Sequence, residues 1–197
     1  VNESHAHCES DAHRSPRPLE SMPEIPGAVI TVSDRCARGE RQDLSGPKAR
    51  QGLCDYGVTV GQITVVEDGV ESVQEAIIEA IEAGARVVFT TGGTGVSPRD
   101  LTPEATAPLL DVQLHQISTQ ILLRGLQATP LAALSRGLVG IARRASQRPA
   151  VIINAPGSRG GVADVLAVVG PLLSHIVDQM DGASEHEHRE HEHQHER

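Results

Sequence analysis

Five short runs of apolar, largely β-branched residues each stop at a polar or glycine-rich turn, with helical segments between most of them. The runs cover 27–33, 58–66, 85–90, 130–134 and 150–154. They end in Ser33-Asp34, Glu67-Asp68, Thr91 to Gly95, Ser135-Arg136 and Asn154 to Ser158. Short apolar runs of this kind suit strands buried on both faces. Val73, Ile77, Ile78 and Ile81 recur at steps of three and four, which predicts an amphipathic helix over 70–83 stopped by Gly84. Further helices are expected over 47–56, over 113–127 and over 161–180. Another is expected to open at Thr102 as N-cap, with Pro103 behind it and Glu104 in the first turn. Strands alternating with helices predict an α/β fold with a mostly parallel sheet covered on both faces.

With 197 residues, the chain suffices for one well-buried domain. That domain is expected over 25–181, between a flexible arm at 1–24 and a low-complexity Glu/His-rich tail at 182–197. The formal charge is −9, of which the two ends hold −6, leaving about −3 on the body. That balance disfavours a general nucleic-acid binder, which needs clustered Lys and Arg, yet tolerates an anionic ligand at a local site. Aromatics are almost absent (Tyr56, Phe89 and no Trp), so a ring ligand has to rest on peptide planes, hydrogen bonds and aliphatic side chains. Three cysteines, Cys8, Cys36 and Cys54, without C-x-x-C spacing, argue against a disulfide framework. No apolar run reads as a membrane span or a secretory leader, so a cytoplasmic protein is expected. The tail histidines His186, His188, His191, His193 and His195 can gather transition metals, although a solubilising tail is the simpler reading.

Ligands of open α/β sheets collect at the carboxyl ends of the strands. Each of the five turns alone is ordinary turn chemistry; five at one sheet edge point to a site. Thr91-Gly92-Gly93-Thr94-Gly95 lets backbone N–H groups approach an anion. It lacks the Lys of a G-x-x-x-x-G-K-[ST] loop and the spacing of a dinucleotide turn. Asp68 ends one strand and Asp100 follows the glycine loop, so both can approach bound phosphates. Two carboxylates beside phosphates suit Mg2+. Each also has a plainer reading: Asp68 can cap the helix that follows, and Asp100 can brace its loop or pair with Arg99.

The run TTGGTGVSPRDLTPEAT at 90–106 closely resembles the signature of the MogA/MoaB family of molybdopterin-binding proteins, a domain also present in gephyrin. Further matches are VSDR at 32–35, Asp43 with SGP at 45–47, Asp68, LSRG at 134–137 and INAPGS at 153–158. The resemblance implies a three-layer α/β/α domain, a homotrimer, and adenylylation of molybdopterin by ATP with Mg2+ and release of pyrophosphate. It makes Asp68 and Asp100 catalytic and Mg2+-binding. Ser33, Asp43, Ser45, Gly46, Thr91, Gly92, Gly93, Thr94, Gly95, Ser135, Arg136, Asn154, Pro156, Gly157 and Ser158 become candidate substrate contacts. A molybdate-inserting protein is the implied downstream partner. The family's Pro-Gly turn and following Glu are replaced here by His115, Gln116 and Thr119, in a segment expected to border the pterin pocket. That departure keeps open a non-catalytic molybdopterin carrier; the histidine tail keeps open a metal-delivery accessory.

Overall fold

The computed structural model describes residues 24–145 and 147–182. The expected arm, Cys8 and the histidine tail lie outside the described residues.

A seven-stranded sheet forms the middle layer. Strand β1 (Ile25–Val32) pairs in parallel with β4 (Val87–Thr91), and β4 pairs in parallel with β7 (Ala150–Ala155). On the other side of β1 lie two short parallel strands, β2 (Val58–Val60) and β3 (Thr64–Val66). The single strand expected over 58–66 is therefore broken at 61–63, where Ile63 turns into the core. Beyond β7 come β6 (Val139–Ala142) and β5 (Val112–Gln113), each antiparallel to its neighbour. The sheet is thus mixed, parallel through its centre. All five residues of β4 and all six of β7 are buried, which is why those segments read as unbroken apolar runs.

Alternate residues of the central strands enter different cores. Val29, Phe89 and Ile153 face α2 (Ser45–Cys54), α6 (Arg159–Val169) and α7 (Leu173–Met180). Ile30, Val88 and Ile152 face α3 (Val70–Glu82) and α4 (Thr102–Thr106). A four-residue α1 (Asp34–Ala37) follows β1, and α5 (His115–Ala128) lies over α6. The result is the expected three-layer α/β/α sandwich.

Three further expectations are corrected. Segment 130–134 is a 3-10 turn, not a strand: Pro130 lacks an N–H for a ladder, and Thr129 Oγ1 accepts from Leu131 N. The strand follows later, at β6. The last helix is interrupted at Gly170–Leu172, where Pro171 cannot donate and the Tyr56 ring occupies the space of a Gly170 side chain. Arg159–Met180 has the length and composition to cross a membrane, but Val162, Val165, Leu166, Val169 and Leu173 are buried in the core. Leu101, not Thr102, occupies the N-cap of α4. At the domain's end, buried Arg86 holds Asp181 through both terminal nitrogens, at 2.7 and 3.1 Å.

Candidate functional site

The carboxyl ends of β1, β3, β4 and β7 open into one cavity of about 940 Å³. Its floor is the glycine loop. Gly92 and Gly93 have φ of 109° and 61°, a backbone region that costs any other residue strain. Thr102 is the strap beneath: its Oγ1 donates to Gly92 O at 2.9 Å, and its N–H donates to Gly93 O at 3.0 Å. Its hydroxyl is thus spent on the loop, which explains why it caps no helix. The N–H groups of Gly93, Thr94 and Gly95 find no acceptor among the described residues. They are free to meet an anion. Opposite them, Ser158 caps α6 by accepting from Gly161 N, and Gly157 packs against Gly92.

Asp68 and Asp100 look into the same loop. Asp68 Oδ1 lies 3.2 Å from where a Gly93 Cβ would stand, and Asp100 Oδ2 lies 2.8 Å from the equivalent point on Gly95. Asp68 does not cap α3, whose N-cap is Gly69 and carries no side-chain bond. Asp100 does brace its loop, accepting from Ser97 N at 2.9 Å, while Arg99 pairs with Asp34 rather than with Asp100. Burial pushes the Asp68 carboxyl above its ordinary range, and the charges of Asp34 and Asp100 push it the same way; the Asp34 N–H and the charge of Arg99 oppose them. Crowded carboxylates of this kind favour a cation between them. Among the described residues no three ligating side chains converge on one point; Asp68 and Asp100 are the two that could supply part of a metal's shell. That suits Mg2+, which keeps waters and substrate phosphates.

Of the expected contacts, Ser33, Asp43, Ser45, Thr91 to Gly95, Ser135, Asn154, Pro156, Gly157 and Ser158 line the cavity; Gly46 and Arg136 do not. Several of the side chains are already engaged. Asp43 accepts from Thr31 Oγ1, Ser45 N and Oγ, and Gly46 N, so it orders the start of α2. Gly46 is buried under it, in a space with no room for a Cβ. The Asn154 amide donates to Thr90 and Thr106 hydroxyls and accepts from Leu138 N, so it also braces β7 where that strand meets the cavity. Thr91 Oγ1 donates to Pro156 O. Arg136 reaches away from the cavity: it donates to Gly95 O at 2.7 Å and Asp100 O at 2.6 Å and pairs with Glu104. It latches the loop that carries Asp100.

His115, Gln116 and Thr119 do not line the cavity; Ser118, Ile121, Leu122 and Gly125, one face of α5 about a turn further on, do. Leu131 and Leu134 extend this aliphatic wall, and neither Phe89 nor Tyr56 touches it. Nothing in the sequence marks this wall, because α5 carries most of it, away from any polar or glycine-rich turn, and the rest lies on a 3-10 turn whose apolar residues read as a strand. Cys36, Arg41 and Arg159, beside the quoted motifs, and Asp164, in the middle of α6, also line the cavity.

A family described as "probable molybdopterin binding domain" matches residues 28–175, most of the domain just described. The chain belongs to that family. The molybdopterin adenylyltransferase of Pyrococcus furiosus is 39% identical over 150 residues, covering 76% of this chain and 87% of that protein. The Drosophila melanogaster molybdenum cofactor synthesis protein cinnamon is 39% identical over 158 residues. Among solved structures, the tungsten cofactor synthesizing protein MoaB from Pyrococcus furiosus superposes with a TM-score of 0.74 at 33% identity, covering 81% of this chain and 98% of that one. The chain spans only 26% of the Drosophila protein, and 50% and 21% of two other long relatives.

Proposed function

We propose that this chain binds molybdopterin and transfers an adenylyl group to it from ATP, releasing pyrophosphate. The observation that carries the reading is the pair Asp68 and Asp100, both facing a glycine loop with free N–H groups at the floor of a single large cavity. Relatives named for that activity support it, in Pyrococcus furiosus and, at 31% identity over 90% of the relative's length, in Helicobacter pylori.

Chemically, a terminal phosphate oxygen of molybdopterin attacks the α-phosphorus of ATP, and the bond to the β-phosphate breaks. Such transfers need positioning and charge compensation more than covalent help. The N–H groups of Gly93 to Gly95 hold a phosphate, and Ser33 and Ser135 offer hydroxyls. The aliphatic wall of Ile121, Leu122, Leu131 and Leu134 gives an uncharged ring a surface. Asp68 and Asp100 would hold Mg2+, which supplies compensation for charge on the α-phosphate and the leaving pyrophosphate. The reading places the protein in the cytoplasm, handing its product to a molybdate-inserting partner.

We also propose a homotrimer. Support comes from Leu123 and Leu126, exposed on α5 and outside the cavity lining, on a helix that buries only Gly125 within the chain. Sedimentation as a monomer at micromolar concentration would count against it.

The deciding experiment mixes protein, molybdopterin, ATP and Mg2+ and looks for adenylylated molybdopterin and pyrophosphate. Asp100→Asn, which keeps the acceptor for Ser97 N, should cost about a hundredfold in turnover with molybdopterin binding intact. Absence of product with the parent protein overturns the reading.

A further inference from the structure

Asp34 is a buried carboxylate, bonded to the cavity-lining Asp68, to which the proposed chemistry gives no part. Its N–H donates to Asp68 Oδ2 at 3.0 Å, and the Asp68 N–H returns a bond to Asp34 Oδ1 at 3.1 Å. The two residues sit at the ends of adjacent parallel strands, and Ser33 N donating to Val66 O fixes the strand ends beside them. The reciprocal bonds occupy one oxygen of each carboxylate. Asp68 Oδ1 is left facing Gly93, and Asp34 Oδ2 is taken by the Arg99 guanidinium. Arg99 immediately precedes Asp100, whose N–H and carboxylate close the turn on Ser97. One chain of contacts therefore runs from Asp68 through Asp34 and Arg99 to Asp100.

We propose that Asp34 and Arg99 form a brace of positioning residues that aims Asp68 Oδ1 at the glycine loop and sets its separation from Asp100. The brace touches no substrate atom in this scheme. It acts by fixing two carboxylates that arise 32 residues apart in the chain. Partners behind a metal's own ligands orient those ligands, and their loss typically weakens metal affinity about tenfold or more. Arg99 also offsets part of the charge of three neighbouring acids. The two roles make opposite predictions for one substitution. Arg99→Ala removes a positive charge, so through-space electrostatics alone would tighten cation binding. Loss of a brace would weaken it.

The inference rests on the adenylyltransferase reading for what turnover means, so its test has an arm independent of turnover. Mn2+ is titrated into the metal-free full-length protein and into Arg99→Ala, followed by the paramagnetic resonance of the free ion. Arg38→Ala, which removes an exposed arginine paired with Glu40, serves as the control. The brace predicts that Mn2+ binds about tenfold more weakly to Arg99→Ala, with the control near the parent. In turnover, kcat of Arg99→Ala should fall about tenfold or more while the molybdopterin Kd stays within about twofold, the mark of misaimed groups rather than a lost contact. Arg99→Lys, which keeps a charge beside Asp34, should recover part of both. Because Arg99 is largely exposed, unfolding does not confuse the comparison; Asp34→Asn, which retains an acceptor for Asp68 N, is run beside it with melting temperatures. Unchanged or tighter Mn2+ binding in Arg99→Ala overturns the brace, as does a parent that binds no Mn2+. A parent that binds Mn2+ but makes no product overturns the proposed activity and leaves the brace to be judged on the metal titration.

Discussion

The α-carbon of Gly92 lies so close to the carbonyl oxygen of Val32 that a β-carbon there would overlap it. The contact joins the ends of β4 and β1, which pair in parallel through Thr31 and Thr91. A backbone approach this close, at φ of 109°, excludes every side chain. Gly92→Ala should therefore destabilise the domain by about 3 kcal/mol or more, combining overpacking with backbone strain. In a domain of this size that is roughly a 6–12 °C loss of melting temperature, readable by calorimetry. A variant that melts with the parent would mean the loop can shift without cost.

Asp68 contributes a pH dependence of its own to the metal-free protein, opposite in sign to that of the lowered carboxyls Glu104 and Asp181. Its carboxyl is held above the ordinary range, chiefly by burial and then by the charges of Asp34 and Asp100. A group whose folded pKa exceeds its unfolded one binds more protons in the native state across that window. Stability therefore falls as pH rises from the ordinary carboxylate range through the raised value. Asp68→Asn removes the penalty and keeps an acceptor for Asp34 N. In chelator, its melting temperature should gain on the parent as pH rises from roughly 4 to 7, and Mg2+ should shrink the gain by stabilising only the parent. A difference that ignores pH would show that Asp68 ionises freely.

Arg136 separates latch from ligand contact by a conservative change. Its guanidinium spans Gly95 O, Asp100 O and Glu104, a fork an ammonium cannot reproduce. Arg136→Lys should therefore lose nearly as much turnover as Arg136→Ala, on the order of tenfold, since both release the loop that carries Asp100. Glu104→Gln should show a milder version, as Arg136 holds the Glu104 carboxyl below its ordinary range. If the lysine variant turns over like the parent, positive charge near a phosphate is what Arg136 supplies.

What could be read from the sequence follows a physical line. The glycine loop, Asp68 and Asp100 are legible because left-handed backbone and strand-end carboxylates leave marks within a few residues. The parallel centre of the sheet is legible because β4 and β7 are apolar on both faces. The hydrogen bonds of Thr102, Asn154 and Asp34 are not legible because their partners lie 10 to 64 residues away along the chain. A Thr before Pro-Glu looks like an N-cap until the Gly92 carbonyl appears beside it. Segment 130–134 fails for another reason: Leu131 and Leu134 are exposed on the described chain, so apolarity there did not mark a strand.

The replaced residues His115, Gln116 and Thr119 supply the last expectation, and the structure removes its basis. The family resemblance places them at the pterin pocket, so that restoring Pro, Gly and Glu should tighten binding. Instead β5 pairs with β6 just before α5, the cavity wall begins at Ser118, and the Thr119 hydroxyl donates to His115 O at 2.9 Å within its own helix. Pro in the first turn of a helix is tolerated, so the triple variant should fold. Its molybdopterin Kd should stay within about twofold of the parent, since no new acceptor reaches the cavity. Leu122→Asp, on the wall itself, should weaken binding about tenfold by placing a charge where the ligand needs an apolar surface. Both are read by calorimetric titration with melting temperature measured alongside. Tightening by the triple change would return these residues to the pocket and restore the carrier reading that their replacement first suggested.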